Sequence, residues 1–95
     1  MSYTPGLVSV LIPLFNRAKY IQETINSALS QEYDNLEIIV VDDGSTDGGD
    51  KLVEAFLNTG RVQLFRHEGG VNRGQSISLN LALNKARGEY IAVLD

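Results

Sequence analysis

Ile38-Ile39-Val40-Val41-Asp42-Asp43-Gly44-Ser45-Thr46-Asp47 is the stretch that decides how this chain reads. Four β-branched aliphatic residues follow one another with no polar alternation. That is the pattern of a strand buried on both faces, as in a parallel sheet. The run stops abruptly in two carboxylates, a glycine and three residues that favour helix starts. Such a strand carries its acids to the crevice at the carboxyl edge of an open α/β sheet, where ligands bind. A second run, Tyr90-Ile91-Ala92-Val93-Leu94, also ends in an acid, Asp95.

Working outward, Val8-Ser9-Val10-Leu11-Ile12-Pro13-Leu14 reads as a first strand closed by its proline. Ile21, Ile25, Ala28 and Leu29 recur at helical spacing and predict an amphipathic helix over 18–31, with Asn16 as its cap. The second strand spans Leu36 to Val41. Leu52, Val53, Phe56 and Leu57 mark a second helix, started by the Ser45-Thr46-Asp47 cluster and closed by Gly60. Val62 to Arg66 is a short third strand. Leu79, Ala82, Leu83 and Ala86 define a third helix, with Gly88 as the stop after its end. Tyr90 to Leu94 is the fourth strand. The order β-α-β-α-β-α-β predicts a Rossmann-like, three-layer α/β/α fold with a parallel sheet and right-handed crossovers. No internal repeat or low-complexity segment interrupts it.

The 95 residues suffice for one small domain and are too few for two. A hydrophobic share of 43% and a charged share of 21% suit a soluble globular domain. The net charge of −4, with no Lys/Arg cluster, argues against a nucleic-acid partner. Cysteine is absent, which removes disulfides, thiolate zinc sites and cysteine nucleophiles, and fits a cytosolic setting. No apolar run approaches the roughly 20 residues that span a bilayer. The start lacks the basic and apolar regions of a signal peptide, so none is expected. The last strand has the composition of an interior strand with nothing after it to cover it. Residues 1–95 are therefore expected to be the front part of a longer domain, and the bare strand edge is expected to self-associate.

In a parallel sheet the strand ends converge. The first supplies Pro13, Phe15 and Asn16, the second Asp42 and Asp43, the fourth Asp95. An aromatic face, an amide and acids that accept from a ribose hydroxyl or a base N–H suit a nucleoside. Each has a plainer explanation. Phe15 could be core, Asn16 a cap, and Asp42 and Asp43 turn residues; it is the combination that favours a ligand site. Gly44 and Gly48-Gly49 match neither G-x-G-x-x-G after the first strand nor G-x-x-x-x-G-K-[ST], so a nicotinamide or P-loop reading is weak. Gly69-Gly70-Val71-Asn72-Arg73-Gly74 runs into the third helix. It reads equally well as a loop that approaches a diphosphate, aided by Arg73, or as a flexible connection. His67, the only histidine, has no second ligand near it in sequence and reads as a surface or strand-end residue rather than a metal ligand. Ser45 has no evident base partner and does not read as a nucleophile.

Val8 to Asn16, Ile25 to Gln31 and Glu37 to Asp47, followed by Asn72-Arg73-Gly74, Ala86 to Ile91 and Leu94-Asp95, together resemble the family 2 glycosyltransferases in order and spacing. The resemblance covers the chain from Val8 onward. It implies the GT-A fold and transfer of a sugar from a nucleotide-sugar, with UDP favoured, to an acceptor hydroxyl with inversion. By resemblance, Pro13 and Phe15 hold the nucleobase, where the family usually has tyrosine at Phe15. Asp43, with Asp42 beside it, binds the base, and Asn72, Arg73 and Gly74 approach the nucleotide. Asp95 matches the first acid of the D-x-D motif, which contacts the ribose and helps place a divalent metal, Mn²⁺ or Mg²⁺.

The second D-x-D acid, the catalytic base and the acceptor site would lie beyond residue 95. The chain alone is therefore expected to be inactive and at most a weak nucleotide binder. The acceptor implied is a saccharide or a lipid-linked molecule. The location implied is cytoplasmic, with a peripheral place at the inner membrane face in relatives that build envelope polysaccharides. A non-catalytic nucleotide-binding α/β module is the competing reading of the same residues, and a purely structural α/β domain is a third.

Overall fold

The computed structural model describes residues 3–94. Its centre is set by two strands with no polar face to spare. β1 (Thr4–Leu14) and β2 (Leu36–Asp42) run parallel, with Val10 opposite Ile38, Ile12 opposite Val40 and Leu14 opposite Asp42. Every residue of β2 is buried, as the continuous apolar run requires. β3 (Val62–Arg66) adds to the far side of β2, and β4 (Gly88–Val93) to the far side of β1. The four-stranded order is β3-β2-β1-β4, all parallel, as the sequence pattern predicts.

Helices close both faces. On one, α1 (Ala18–Leu29) inserts Ile21, Ile25 and Ala28, and α2 (Gly49–Glu54) inserts Val53, against Val10, Ile12, Leu14, Ile38 and Val40. On the other, α3 (Gln75–Lys85) packs Ala82 on Leu11, Ile39 and Val41. Each fully buried Val or Ile contributes about 1.5–3 kcal/mol of transfer free energy. The strand order reverses beside β1, between it and β4, so the crevice of an open α/β sheet is expected at the carboxyl end of β1.

Several expected boundaries move, each for a local reason. β1 starts at Thr4 rather than Val8. The Thr4 amide donates to the Arg87 carbonyl, and a register shift between Thr4 and Val8 absorbs Pro5-Gly6. α1 stops at Leu29, where the Ser30 hydroxyl and the Gln31 side-chain Nε2 both donate to the Ser27 carbonyl. α2 ends at Glu54, and a separate 3₁₀ turn (Leu57–Thr59) leads to Gly60. Asn58, Thr59 and Gly60 are poor helix formers, and the Thr59 hydroxyl bonds the Phe56 carbonyl. In α3 the buried face is Ser78 and Ala82, whereas Leu83 is exposed.

Gly88 does not stop α3. It is the first residue of β4 and lies against β1, where a Cβ would meet the Ser9 hydroxyl at 2.6 Å and the Leu7 carbonyl at 2.7 Å. There a buried polar network ties the sheet together. Glu37 accepts from the Ser9 hydroxyl at 2.6 Å, the Arg87 amide at 2.8 Å and the Gln63 side chain at 3.3 Å, and the Gly88 amide donates to Ser9 Oγ at 2.8 Å. β4 is an edge strand. Tyr90, Ile91, Val93 and the following Leu94 are all exposed, which matches the apolar edge expected from the sequence.

Candidate functional site

The end of β1 is shaped by a clasp between two loops. Asn16 takes a left-handed backbone, φ 51°, which asparagine tolerates better than most residues. Its amide donates to Ser45 Oγ at 3.0 Å, and its Oδ1 accepts the Thr46 amide at 2.8 Å. Asn16 is therefore not the helix cap expected from its position. That work falls to Asp47, whose Oδ2 accepts the Ala18 amide at 2.9 Å while Oδ1 accepts the Gly49 amide at 3.0 Å. The Ala18 amide above all holds the Asp47 carboxyl below its ordinary value; desolvation opposes it, and the Gly49 amide adds to the lowering. With both loops pinned, Phe15 projects outward, 44% exposed, and is not core.

The paired acids at the end of β2 face opposite ways, as alternation along a strand demands. Asp42 shares the α1/α2 face with Val40; its Oδ2 accepts the Ser45 amide at 3.3 Å, and its buried Oδ1 has no hydrogen-bond partner among the described residues. Asp43 lies on the α3 side. Its Oδ1 accepts the amides of Arg73 at 2.6 Å and Gly74 at 3.1 Å, and its Oδ2 accepts that of Gly74 at 3.0 Å. The glycine-rich loop before α3 thus does bind an anion, and that anion is the protein's own Asp43. Gly44 permits this approach. Its φ is +79°, and a Cβ there would meet the Asn72 nitrogen at 2.6 Å.

A cleft of about 370 Å³ opens at this edge. Pro13, Phe15, Asp43, Asn72 and Gly74 line it, so the structure brings five of the expected site residues together. Asn16 and Asp42 sit behind the cleft in the loop contacts just described, and the Arg73 side chain is not part of its wall. Asp95 lies outside the described residues. Leu14, Arg17 and Gln75 complete the wall and were not singled out from sequence. Arg17 had a legible signal, being a cation immediately after Phe15-Asn16 at a strand end. Arg66 is turned away from the cleft. It pairs with Glu54 at 2.8 Å and Asp50 at 3.1 Å, which raise its pKa above the ordinary arginine value. His67, expected at the surface or a strand end, follows β3 and is buried. Among the described residues no three ligating side chains converge on a point that could hold a metal ion, so they do not form a metal centre by themselves.

Comparison with known proteins places this cleft in context. The profile of "Glycosyl transferase family 2" matches residues 9–95. Glycosyltransferase GlyG of Streptococcus pneumoniae serotype 4 is 39% identical over 90 residues, which are 94% of this chain and 29% of GlyG. The crystal structure of S. aureus TarS 1-349 in complex with UDP-GlcNAc superposes with a TM-score of 0.84 at 35% identity, over 93% of this chain and 26% of that one. Mannosyltransferase PcManGT from Pyrobaculum calidifontis, in complex with GDP-Man and Mn²⁺, gives 0.79 at 35% identity, over 88% of this chain and 25% of that one. The chain thus spans between a quarter and a third of the length of these relatives. On the family profile, the identities and the shared α/β architecture, the chain belongs to glycosyl transferase family 2.

Proposed function

We propose that residues 1–95 supply the donor-binding part of a longer enzyme that transfers a sugar from a nucleoside-diphosphate sugar, UDP-linked by preference, to an acceptor hydroxyl with inversion. The observation that carries this reading is the cleft in which Pro13, Phe15 and Asp43 meet at the carboxyl edge of β1 and β2. Phe15 offers an exposed ring for a base to stack on, in an arrangement worth about 1–3 kcal/mol per base. Asp43 accepts the base N–H. A carboxylate has about four acceptor positions, and two backbone amides leave capacity on Oδ2. Asn16 and Asp42 keep the two loops in register, and Asn72, Arg73 and Gly74 approach the nucleotide. The UDP-GlcNAc in TarS and the GDP-Man in PcManGT support a nucleotide-sugar donor.

The remainder of the reading concerns the whole enzyme. A divalent metal, Mn²⁺ or Mg²⁺, is proposed for it on the support of the Mn²⁺ in PcManGT, with Asp95 as one ligand. A metal bound there would neutralise diphosphate charge. Activation of the acceptor hydroxyl requires a base. We assign that base, and the site for a saccharide or lipid-linked acceptor, outside this chain, which is then inactive alone. A cytoplasmic place, peripheral to the membrane, belongs to the same proposal; among the described residues no helix is long and apolar enough to cross a membrane. The exposed β4 edge is a surface for self-association in the isolated chain.

The test is an NMR titration of the chain with UDP, GDP and CDP, with and without Mg²⁺. Saturable shifts at Phe15, Asp43 and Arg73 with UDP, weaker with GDP and CDP, are the expected result. A folded chain that shows no shift at these residues with any of the three overturns the assignment of the cleft.

A further inference from the structure

Behind the cleft is an arrangement that the donor-binding reading does not use. His67 leaves β3 in extended conformation and turns inward, where its ring is buried. Its Nε2 lies 2.9 Å from the hydroxyl of Ser78, which is fully buried in the first turn of α3, and 3.5 Å from Asp43 Oδ1. A polar serine on the buried face of a helix, opposite a buried imidazole, is costly unless the two satisfy each other. An apolar pair would fill the same space without that requirement.

The carboxylate decides the tautomer. A lone pair on Nε2 would face the Asp43 carboxylate oxygen 3.5 Å away, which favours the tautomer with the proton on Nε2. The same Oδ1 already accepts the amides of Arg73 and Gly74. Two amides thus converge on Oδ1, with the imidazole Nε2 3.5 Å from the same oxygen, and Oδ2 keeps the Gly74 amide. The imidazole braces the carboxylate from behind, and α3 braces the imidazole.

We propose that His67 is a positioning residue. Held by Ser78, its Nε2–H fixes the rotation of the Asp43 carboxylate, so that Oδ1 carries the Asn72–Gly74 loop and Oδ2 is presented to a ligand N–H donor in the cleft. As far as it concerns ligand affinity, this rests on the donor-binding reading above. The internal geometry stands apart from that reading.

The experiment compares His67→Leu, His67→Gln and Ser78→Ala with the parent chain. Leucine keeps apolar bulk and removes the donor, whereas glutamine restores an N–H near the Nε2 position. In nucleotide-free protein, the Arg73 and Gly74 amide proton resonances are expected to shift in the leucine variant and return toward their original positions in the glutamine variant. UDP affinity should fall about tenfold in the leucine variant, as for loss of one polar contact to a charged group, and recover to within about twofold in the glutamine variant. Ser78→Ala, which frees the imidazole without touching the cleft, should move both readouts in the same direction by less. Unchanged Arg73 and Gly74 resonances in a folded His67→Leu chain, or in Ser78→Ala should the leucine variant not fold, overturn the proposal. So does a glutamine variant as impaired as the leucine one. If the parent chain does not bind UDP, the donor-binding reading fails while the amide shifts still decide the role of His67.

Discussion

The Asp47 carboxylate reaches across from the β2–α2 loop to hold the Ala18 amide, 2.9 Å away, at the first turn of α1. Residues 29 positions apart are joined by one side chain. Its second oxygen holds Gly49, so a single carboxylate organises the starts of two helices. Ionised Asp47 is the form that accepts both bonds, which is why its folded-state pKa lies below the ordinary 3.8. The contribution to stability is present above pH 3.8 and is lost as pH falls through the depressed value. Asp47→Ala should lower the urea midpoint at pH 7 and leave it close to that of the parent chain at the acid end of the titration. Equal losses at pH 7 and in acid would contradict this assignment.

Gly44→Ala should cost about 2 kcal/mol or more, combining left-handed strain with a displaced loop. The matching Gly48→Ala change, also at positive φ but with nothing within 4 Å of the added Cβ, should cost only about 1 kcal/mol of left-handed strain. Denaturant midpoints compare the two, and the Asn72 amide resonance should move in the first variant and stay in the second.

Glu37→Ala should destabilise by about 3 kcal/mol, because it strands the buried Ser9 hydroxyl and the Arg87 amide together. Arg87→Ala is expected to cost about 1 kcal/mol or less. Its side chain is 67% exposed, and the backbone amide that bonds Glu37 remains. Thermal unfolding separates them, at about 4–8 °C per kcal/mol for a chain of this size.

Phe15→Ala should hardly alter stability, since the ring is exposed, but should weaken UDP binding by about tenfold or more. Phe15→Tyr should bind at least as well as the parent chain. Calorimetric titration measures both, and an alanine variant with unchanged affinity would remove Phe15 from the base-stacking role.

The sheet was legible in the sequence because its signal is local. Val8 to Leu14 and Leu36 to Val41 are largely apolar runs that have no other stable use, and Asp42-Asp43 after the second marks the functional edge. The belonging to family 2 was legible for the same reason, since its motifs lie at those strand ends. What escaped reading depends on partners far away in sequence. Asn16 gave up the cap because Ser45 and Thr46 claim it; Gly88 serves the closeness of Ser9 rather than a helix end. His67 looked like a surface residue because its partners, Ser78 and Asp43, arrive from α3 and β2. Asp42 and Asp43 were read as a pair, and only strand alternation in a closed structure shows that they serve different layers.

The strand order β3-β2-β1-β4 has a consequence for how the molecule assembles. Of the four described strands β1 is synthesised before the others, yet one of its two edges waits for β4, the fourth; the Gly88 amide and Ser9 Oγ that meet there are 79 residues apart. Closing so long a loop is entropically expensive, and contacts of that separation slow folding. On a ribosome, β2 can zip to β1 while α3 is still being made, but the other margin of β1 stays open until β4 emerges. Amide exchange should record that history. In this chain protection should be strongest where β1 meets β2, and weakest at β4, the fourth of the described strands to join and the first to peel away.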